Sequence, residues 1–341
     1  MRLKKILAID FIRVICALGV IVYHFSCHLN NTRFLPFYSF VNGDWGDVFV
    51  TIFFMLSGGM LYYSYSNVTS LKDYYYRRWK SLYPMFYIAF AYFFLQNIFS
   101  FGNVFYRGKP TSLILSLLGI DGYFLYRYEN YYILGEWFLG AIIILYIIYP
   151  IFVRLFNKSD KITLLVLFLS YLWVLNTSFF IIGDFRNIIS CLFSFSVGML
   201  FIKYTKFFLE NLYILLLAIG ITIIICFFYL NLGSNFASHL MGFSLFIVLF
   251  HLGKYVMKFN CLKKLFEEIS KISYAIFLLQ HLVILQVLNF RNPSNALNVL
   301  ILLFFTIGLI LIYAKILYII NNSILNSSVY LYFENKFLNK K

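Results

Sequence analysis

Acidic side chains are few in this sequence, 13 Asp and Glu against 28 Lys and Arg, and charged residues fill only 12% of its 341 positions while 62% are hydrophobic. So little polar surface cannot enclose so much apolar side chain in water, which excludes a water-soluble globule and leaves lipid as the solvent. Proline is scarce too, with five residues, and no stretch rich in Pro, Gly or Ser interrupts the chain, so separate domains on a linker are not expected. The five cysteines, Cys16, Cys27, Cys191, Cys226 and Cys261, form no CxxC pair and sit mostly in apolar stretches. They read as small hydrophobes rather than a disulfide framework or a metal site. A Walker loop, a dinucleotide glycine motif, a zinc helix and a GxSxG elbow are all missing, which removes support from ATP-driven transport and from soluble hydrolase chemistry.

What the sequence does contain is a series of apolar runs, ten in all, at 6-27, 46-66, 79-101, 135-156, 162-182, 187-202, 208-230, 234-253, 272-290 and 296-320. Backbone groups in hydrocarbon have no water to bond, and runs of about 20 residues without strand-like alternation satisfy them as helices. The expected fold class is all-α, a polytopic membrane helical bundle of about ten transmembrane helices. Lys and Arg mark the cytoplasmic side of short loops. Alternate loops separate 21 such residues from six others, Arg33, Arg107, Lys109, Arg127, Arg186 and Arg291, so the richer side and both termini are expected in the cytoplasm. Residues 1-325 form the expected transmembrane domain and 326-341 a cytoplasmic tail. The first run contains Asp10, Arg13 and His24 and no small-residue cleavage site, so it reads as a retained span rather than a signal peptide. The net charge of +15 is spread over short loops, which fits topology and argues against a nucleic-acid partner. The outward loop 102-134 carries a short apolar stretch, Ser112 to Ile120, sized for an interfacial segment, and tyrosines suited to headgroup anchoring or to a sugar.

An ionisable residue inside a span costs roughly a few kcal/mol and invites a functional explanation. Asp10 and Arg13, three residues apart, can pair along one helix face. Arg13 and His24 are eleven residues apart, which at ~100° per residue returns them to within ~20° of one face and ~16 Å of each other. His suits general base catalysis near neutral pH, and Arg binds phosphate or carboxylate without losing its charge. Equally, His24 fits an interfacial histidine and Arg13 a topology anchor. His281 follows Tyr274 by seven residues on one face of the ninth run, as a site residue or as a hydrogen bond between helices. His239 and His251 have no such partners in sequence and read as packing or interfacial residues. Glu136 and Trp137 open the fourth run, where a tryptophan suits the interfacial belt. Arg77, Arg78 and Lys80 precede the third run and suit anionic lipid or a phosphorylated ligand. No metal is expected at the site.

Four segments then carry a resemblance. "IDFIRVICALGVIVYHF" (9-25) presents an arginine, ten residues and a histidine; "VTIFFMLSGGML" (50-61) presents FF-x-x-SG. "YYYRRWKSLYPMFY" (74-87) is a basic run ending in Pro84, and "GEWFLGAIIILYIIYP" (135-150) is a tryptophan-led helix ending in Tyr-x-x-Tyr-Pro. "FSFSVGMLF" (193-201) and "ISKISYAIFLLQH" (269-281) follow in order. Together they resemble the acyltransferase-3 family of bacterial membrane O-acyltransferases along nearly the whole chain. The sequence departs from many members in placing Ser81 where a second arginine often stands, and in lacking the paired glutamates of some longer members.

The resemblance implies transfer of an acyl group, most often acetyl, from cytoplasmic acyl-CoA to a hydroxyl of a cell-surface polysaccharide or lipid-linked sugar, in a multi-pass protein of a bacterial plasma membrane. Acetyl-CoA would be a donor substrate, with no resident cofactor; membrane lipid and the glycan acceptor would be the other partners. On that expectation Arg77, Arg78 and Lys80 hold the CoA phosphates, the pantetheine arm runs past Arg13, and His24 takes the acceptor proton. Asp10 orients Arg13, while Glu136, Trp137, Tyr274 and His281 line the site. A glycan-precursor transporter is the alternative, although no inverted pair of Gly- or Pro-broken spans supports it, and a non-enzymatic scaffold would leave Arg13 and His24 without a role. The topology predicts that, in a variant without native cysteines, Lys109→Cys reacts with a membrane-impermeant thiol reagent on intact cells and Lys161→Cys only after permeabilisation; the reverse labelling would invert the orientation.

Overall fold

The computed structural model of the chain describes residues 7–105, 109–128, 131, 134, 136–291, 293 and 295–338. Arg2, Lys4, Lys5, Lys340 and Lys341, which are among the 21 cations counted to the cytoplasmic side, and Arg107 lie outside that set, and so does the side chain of Glu136. The described chain is almost wholly helical: α1 Leu7–Cys27, α2 Trp45–Tyr65, α3 Leu71–Phe101, α4 Leu113–Leu117, α5 Asp121–Phe124, α6 Glu136–Lys158, α7 Asp160–Leu175 and α8 Ile188–Lys203. There follow α9 Thr205–Glu210, α10 Leu212–Phe227, α11 Ser234–Val256, α12 Asn260–Lys271, α13 Ser273–Phe290, α14 Ala296–Leu325 and α15 Ser328–Leu338. Strand pairing among the described residues is confined to β1 Ser39–Phe40 and β2 Gly43–Asp44, antiparallel with Ser39 opposite Asp44.

Among the described residues, seven helices, α1, α2, α3, α6, α11, α13 and α14, are long and apolar enough to cross a membrane. The other three expected spans are shorter: α7, α8 and α10 have 16 residues each, about 24 Å against a hydrocarbon thickness of ~30 Å. Capping explains the trimmed ends. α7 stops at Leu175, where the Asn176 side chain donates to the Leu172 carbonyl at 2.8 Å. Asn211 divides the expected 208-230 run, its side chain accepting from the Tyr213 N–H at 3.1 Å to start α10. At α3 the helix begins earlier than expected, at Leu71, because Ser70 caps it by accepting from the Asp73 N–H at 3.2 Å. Arg77, Arg78 and Lys80 therefore stand on the early turns of a 31-residue helix rather than in the loop before it. Helices also form outside the expected spans, α12 in the 254-271 loop and α15 in the tail.

The chain forms two compact units. The first comprises Met1–Ser66, Leu155–Ser273 and Gln280–Leu309. Its core gathers Ile12 and Cys16 of α1, Val48 and Ile52 of α2, and Met241 and Phe250 of α11. Cys16 and Cys191 are buried as small hydrophobes, whereas Cys27 and Cys261 are exposed. α2 and α8 approach to backbone contact through glycine: a Cβ on Gly58 would overlap the Phe195 carbonyl, and one on Gly198 would overlap the Met55 carbonyl. Apolar side chains gain nothing by leaving lipid, so such close approach, with its dispersion contacts, is what associates membrane helices. Gly58 and Gly198 are the glycines of two motifs noted above, and their place is in packing. Asn42 closes another gap, donating to the Ile225 and Phe228 carbonyls at 2.6 and 2.7 Å and accepting from the Leu230 N–H at 2.8 Å, so the orphan carbonyls at the end of α10 are satisfied.

The second unit comprises Asn67–Arg154, Tyr274–Leu279 and Ile310–Lys341. Pro150 lies within α6 and has no N–H to give the Tyr146 carbonyl four residues back. The Tyr74 hydroxyl donates to that carbonyl at 2.8 Å, and the Tyr75 hydroxyl to the Ile147 carbonyl at 2.9 Å. Tyr74 also stacks on Tyr149, centroids 5.7 Å apart. The tyrosine run and the terminal proline of the fourth motif are thus one structural device. α15 belongs to this unit, joined to α3 by Tyr76 and Tyr330, whose hydroxyls are 3.0 Å apart.

Gly198→Ala should destabilise the protein by about 1–3 kcal/mol through forced separation of α2 and α8. Gly220→Ala in α10, where a Cβ meets open space, should stay within about 0.5 kcal/mol of wild type. Thermal unfolding in detergent followed by size-exclusion recovery compares the two; equal melting curves would refute the close-packing account.

Candidate functional site

The polar residues of α1 occupy two levels of the first unit. At the lower level the Arg13 Nη1 donates to Asp10 Oδ1 at 3.3 Å and to Ser270 Oγ at 2.9 Å, and Ser270 Oγ donates to Asp10 Oδ1 at 2.7 Å. Asp10 and Ser270 are buried and Arg13 is half-buried. The i, i+3 spacing on the helix makes the first contact, and α12 delivers the second. α12 is strongly amphipathic, and its apolar face sets Phe266 against Phe11 at 5.0 Å. That packing carries Ser270 onto the Asp10–Arg13 pair. The guanidinium is thereby oriented through its Nη1 by two linked acceptors while part of it stays accessible, a suitable setting for binding an anionic or carbonyl group. Ser270 was not singled out from sequence, although it lies inside the ISKISY string; nothing in a lone serine marks a partner 260 residues away.

At the other end of α1, His24 is joined by two further imidazoles. His28 follows it by one turn, its N–H donating to the His24 carbonyl at 3.1 Å, so both rings fall on one face. His281 of α13 stands against both, ring centroids 5.2 Å from His24 and 4.9 Å from His28 with near-perpendicular planes. All three are half-buried, and one ring nitrogen from each lies within 4.8 Å of the others. His28 was not singled out from sequence, although its i, i+4 spacing from His24 was an available signal. Tyr23 edges the His24 ring at 5.2 Å.

His239 and His251 have structural settings. His239 is buried, its Nδ1 2.7 Å from the Asn235 carbonyl and 3.1 Å from the Tyr171 hydroxyl. His251 Nε2 lies 3.2 Å from the Phe208 carbonyl.

In the second unit the three cations of α3 diverge. Arg77 is exposed. Lys80 is held by both carboxylate oxygens of Glu334, at 2.8 and 2.9 Å, beneath the Tyr330 ring. Arg78 lies 5.7 Å from the centre of the Tyr146 ring and lines a cavity of about 210 Å³ with Tyr75, Trp79, Tyr83 and Tyr146. Cationic and aromatic groups around one opening suit a ligand with a phosphate and a flat ring. The Tyr274 hydroxyl donates to the Leu82 carbonyl at 3.2 Å, and its ring stacks on Phe277 at 6.4 Å. Trp137 is half-buried and edge-on to Phe138.

No curated protein and no solved structure matches the chain. Residues 6–315 match the acyltransferase domain that defines one family of membrane proteins. That span takes in every polar residue of α1, the α3 cations and the imidazole of α13. With its helical membrane-bundle architecture and a match over most of its length, the chain belongs to the acyltransferase-3 family and is a membrane acyltransferase.

Proposed function

We propose that the protein transfers an acyl group, acetyl in the simplest case, from acyl-CoA to a hydroxyl of a cell-surface polysaccharide or lipid-linked sugar. The observation that carries this reading is the place of His24: a half-buried imidazole on the helix that also bears the braced Arg13, inside a region matched by the acyltransferase family. In the proposed step His24 takes the proton of the acceptor hydroxyl as its oxygen bonds to the thioester carbonyl carbon. The carbon–sulfur bond breaks, and the CoA thiolate leaves and recovers the proton. Arg13, held in place by Asp10 and Ser270 ~16 Å along α1 from His24, is assigned to the pantetheine arm of the donor rather than to the reacting carbonyl. His281 keeps a second imidazole beside His24.

Donor phosphates are assigned to Arg78, with the aromatic rings around its cavity available to the adenine. Arg77 and Lys80 have lesser parts, since Arg77 is exposed and Lys80 already has a carboxylate partner. Trp137 and Tyr274 are assigned to the lining of the acceptor path, and Glu136 to the same path by its place at the start of α6. The chain would sit in a bacterial plasma membrane with both termini in the cytoplasm, α7, α8 and α10 completing ten crossings.

In membranes of cells expressing matched amounts of protein, labelled acetyl should pass from acetyl-CoA to surface polysaccharide with wild type. His24→Ala should lower the rate by about 100-fold or more; full activity in that variant would overturn the mechanism. Arg78→Gln should raise the donor KM by about tenfold with little change in kcat, because a charge-assisted phosphate contact is worth about 1.5–3 kcal/mol. Arg77→Gln should keep the wild-type KM, and equal effects of the two would remove the assignment to Arg78.

A further inference from the structure

We propose that His24, His28 and His281 form a binding site for a divalent transition-metal ion of the zinc type. Among the described residues, this is the one group of three side chains with metal-ligating atoms mutually close enough to share an ion. Two of the three are held by local geometry: His28 follows His24 by one turn, in the residue just past the end of α1, and the backbone hydrogen bond between them keeps that turn closed. The third comes from α13, and its ring stands at similar distances, 5.2 and 4.9 Å, from both. The ligand nitrogens are within 4.8 Å of one another. Nitrogens around a tetrahedral zinc, at ~2.0–2.1 Å from the metal, are about 3.4 Å apart. The difference is of the size that side-chain rotation covers.

The donor set selects the ion. Three imidazole nitrogens suit Zn²⁺, Co²⁺, Ni²⁺ or Cu²⁺ and discriminate against Mg²⁺ and Ca²⁺, which take oxygen ligands. Three protein ligands leave a fourth position for water. Half-burial of all three rings gives an ion a route in while shielding it from bulk water on one side. The ligands on α1 and α13 are far apart in sequence, so a bound ion cross-links folded chain and stabilises it by mass action.

Binding does not depend on the proposed function, but its consequence does. The His24 lone pair that coordinates an ion is the lone pair that would accept the acceptor proton, so the two uses exclude one another. Occupied by zinc, the site switches the proposed transfer off.

The test is a titration of purified full-length protein in detergent with Co²⁺, read by its visible absorption, followed by displacement with Zn²⁺ and with Mg²⁺. The expected result is one Co²⁺ per chain with a tetrahedral spectrum, displaced by Zn²⁺ and untouched by Mg²⁺. His28→Gln and His281→Gln should each weaken binding at least about tenfold, while His251→Gln leaves it unchanged. The two ligand variants lie in different segments, the turn after α1 and α13, and either one that elutes as a monodisperse peak suffices. Absence of saturable Co²⁺ binding, or equal binding by wild type and both ligand variants, would overturn the site. Acetyl transfer is then measured with and without saturating Zn²⁺. Inhibition reversed by a chelator supports both inferences, whereas unchanged transfer by fully zinc-loaded protein would leave the site standing and overturn His24 as the base.

Discussion

Hydrocarbon offers a peptide group no hydrogen-bond partner, and most local features of this structure follow from meeting that demand inside the protein. Helices meet it along their length, and the difficulty moves to the places where a helix is broken or ends. Pro150 leaves the Tyr146 carbonyl without its N–H, and the Tyr74 hydroxyl replaces it. The end of α10 leaves carbonyls that the Asn42 amide fills from a loop nearly 190 residues earlier. α7 is closed by Asn176 folding back on Leu172. In each case a polar side chain with a short reach does what water would do in a soluble protein.

The same constraint gives α1 its character. Asp10, Arg13 and His24 lie on a helix that is otherwise apolar, and each would be costly there alone. Asp10 and Arg13 offset one another, and α12 adds Ser270 as a third member, so the network has both charge compensation and fixed geometry. The helix is consequently held at one end by a hydrogen-bonded network and bears His24 at the other, with His28 in the turn that follows. A membrane acyltransferase needs polar groups of this kind inside an apolar bundle, and α1 supplies them at the cost of close packing against its neighbours. Gly46 admits Tyr23 and Gly19 admits Phe49 where any side chain would clash.

Motif residues divide into two kinds once placed in the fold. Gly58 and Gly198 are backbone-contact residues between α2 and α8, and Pro150 with Tyr74 forms a repaired helix break. Their recurrence in the strings quoted above is a packing requirement. Arg13, His24 and the α3 cations retain exposed or half-exposed polar groups, which is where chemistry can occur. Spacing alone did not separate Arg77 from Arg78 and Lys80, because the three lie within one turn and each points to a different neighbourhood: solvent-side exposure, an aromatic cavity, and Glu334.

Composition and apolar run length by themselves determined that the chain is a helical membrane protein, because the transfer of apolar residues and the satisfaction of backbone groups are local and additive along the sequence. Periodicity likewise placed Asp10 and Arg13 within reach, since a helix fixes neighbours three residues apart. The ends of α3, α7 and α10 needed the caps, which depend on individual side-chain hydrogen bonds that hydropathy does not register. Only the tertiary structure joined Ser270 to Arg13 across 257 residues and His281 to His24 and His28. Such pairs are set by how helices pack, and packing in lipid is decided by the shapes of whole surfaces, down to single glycines, rather than by any pattern along the chain.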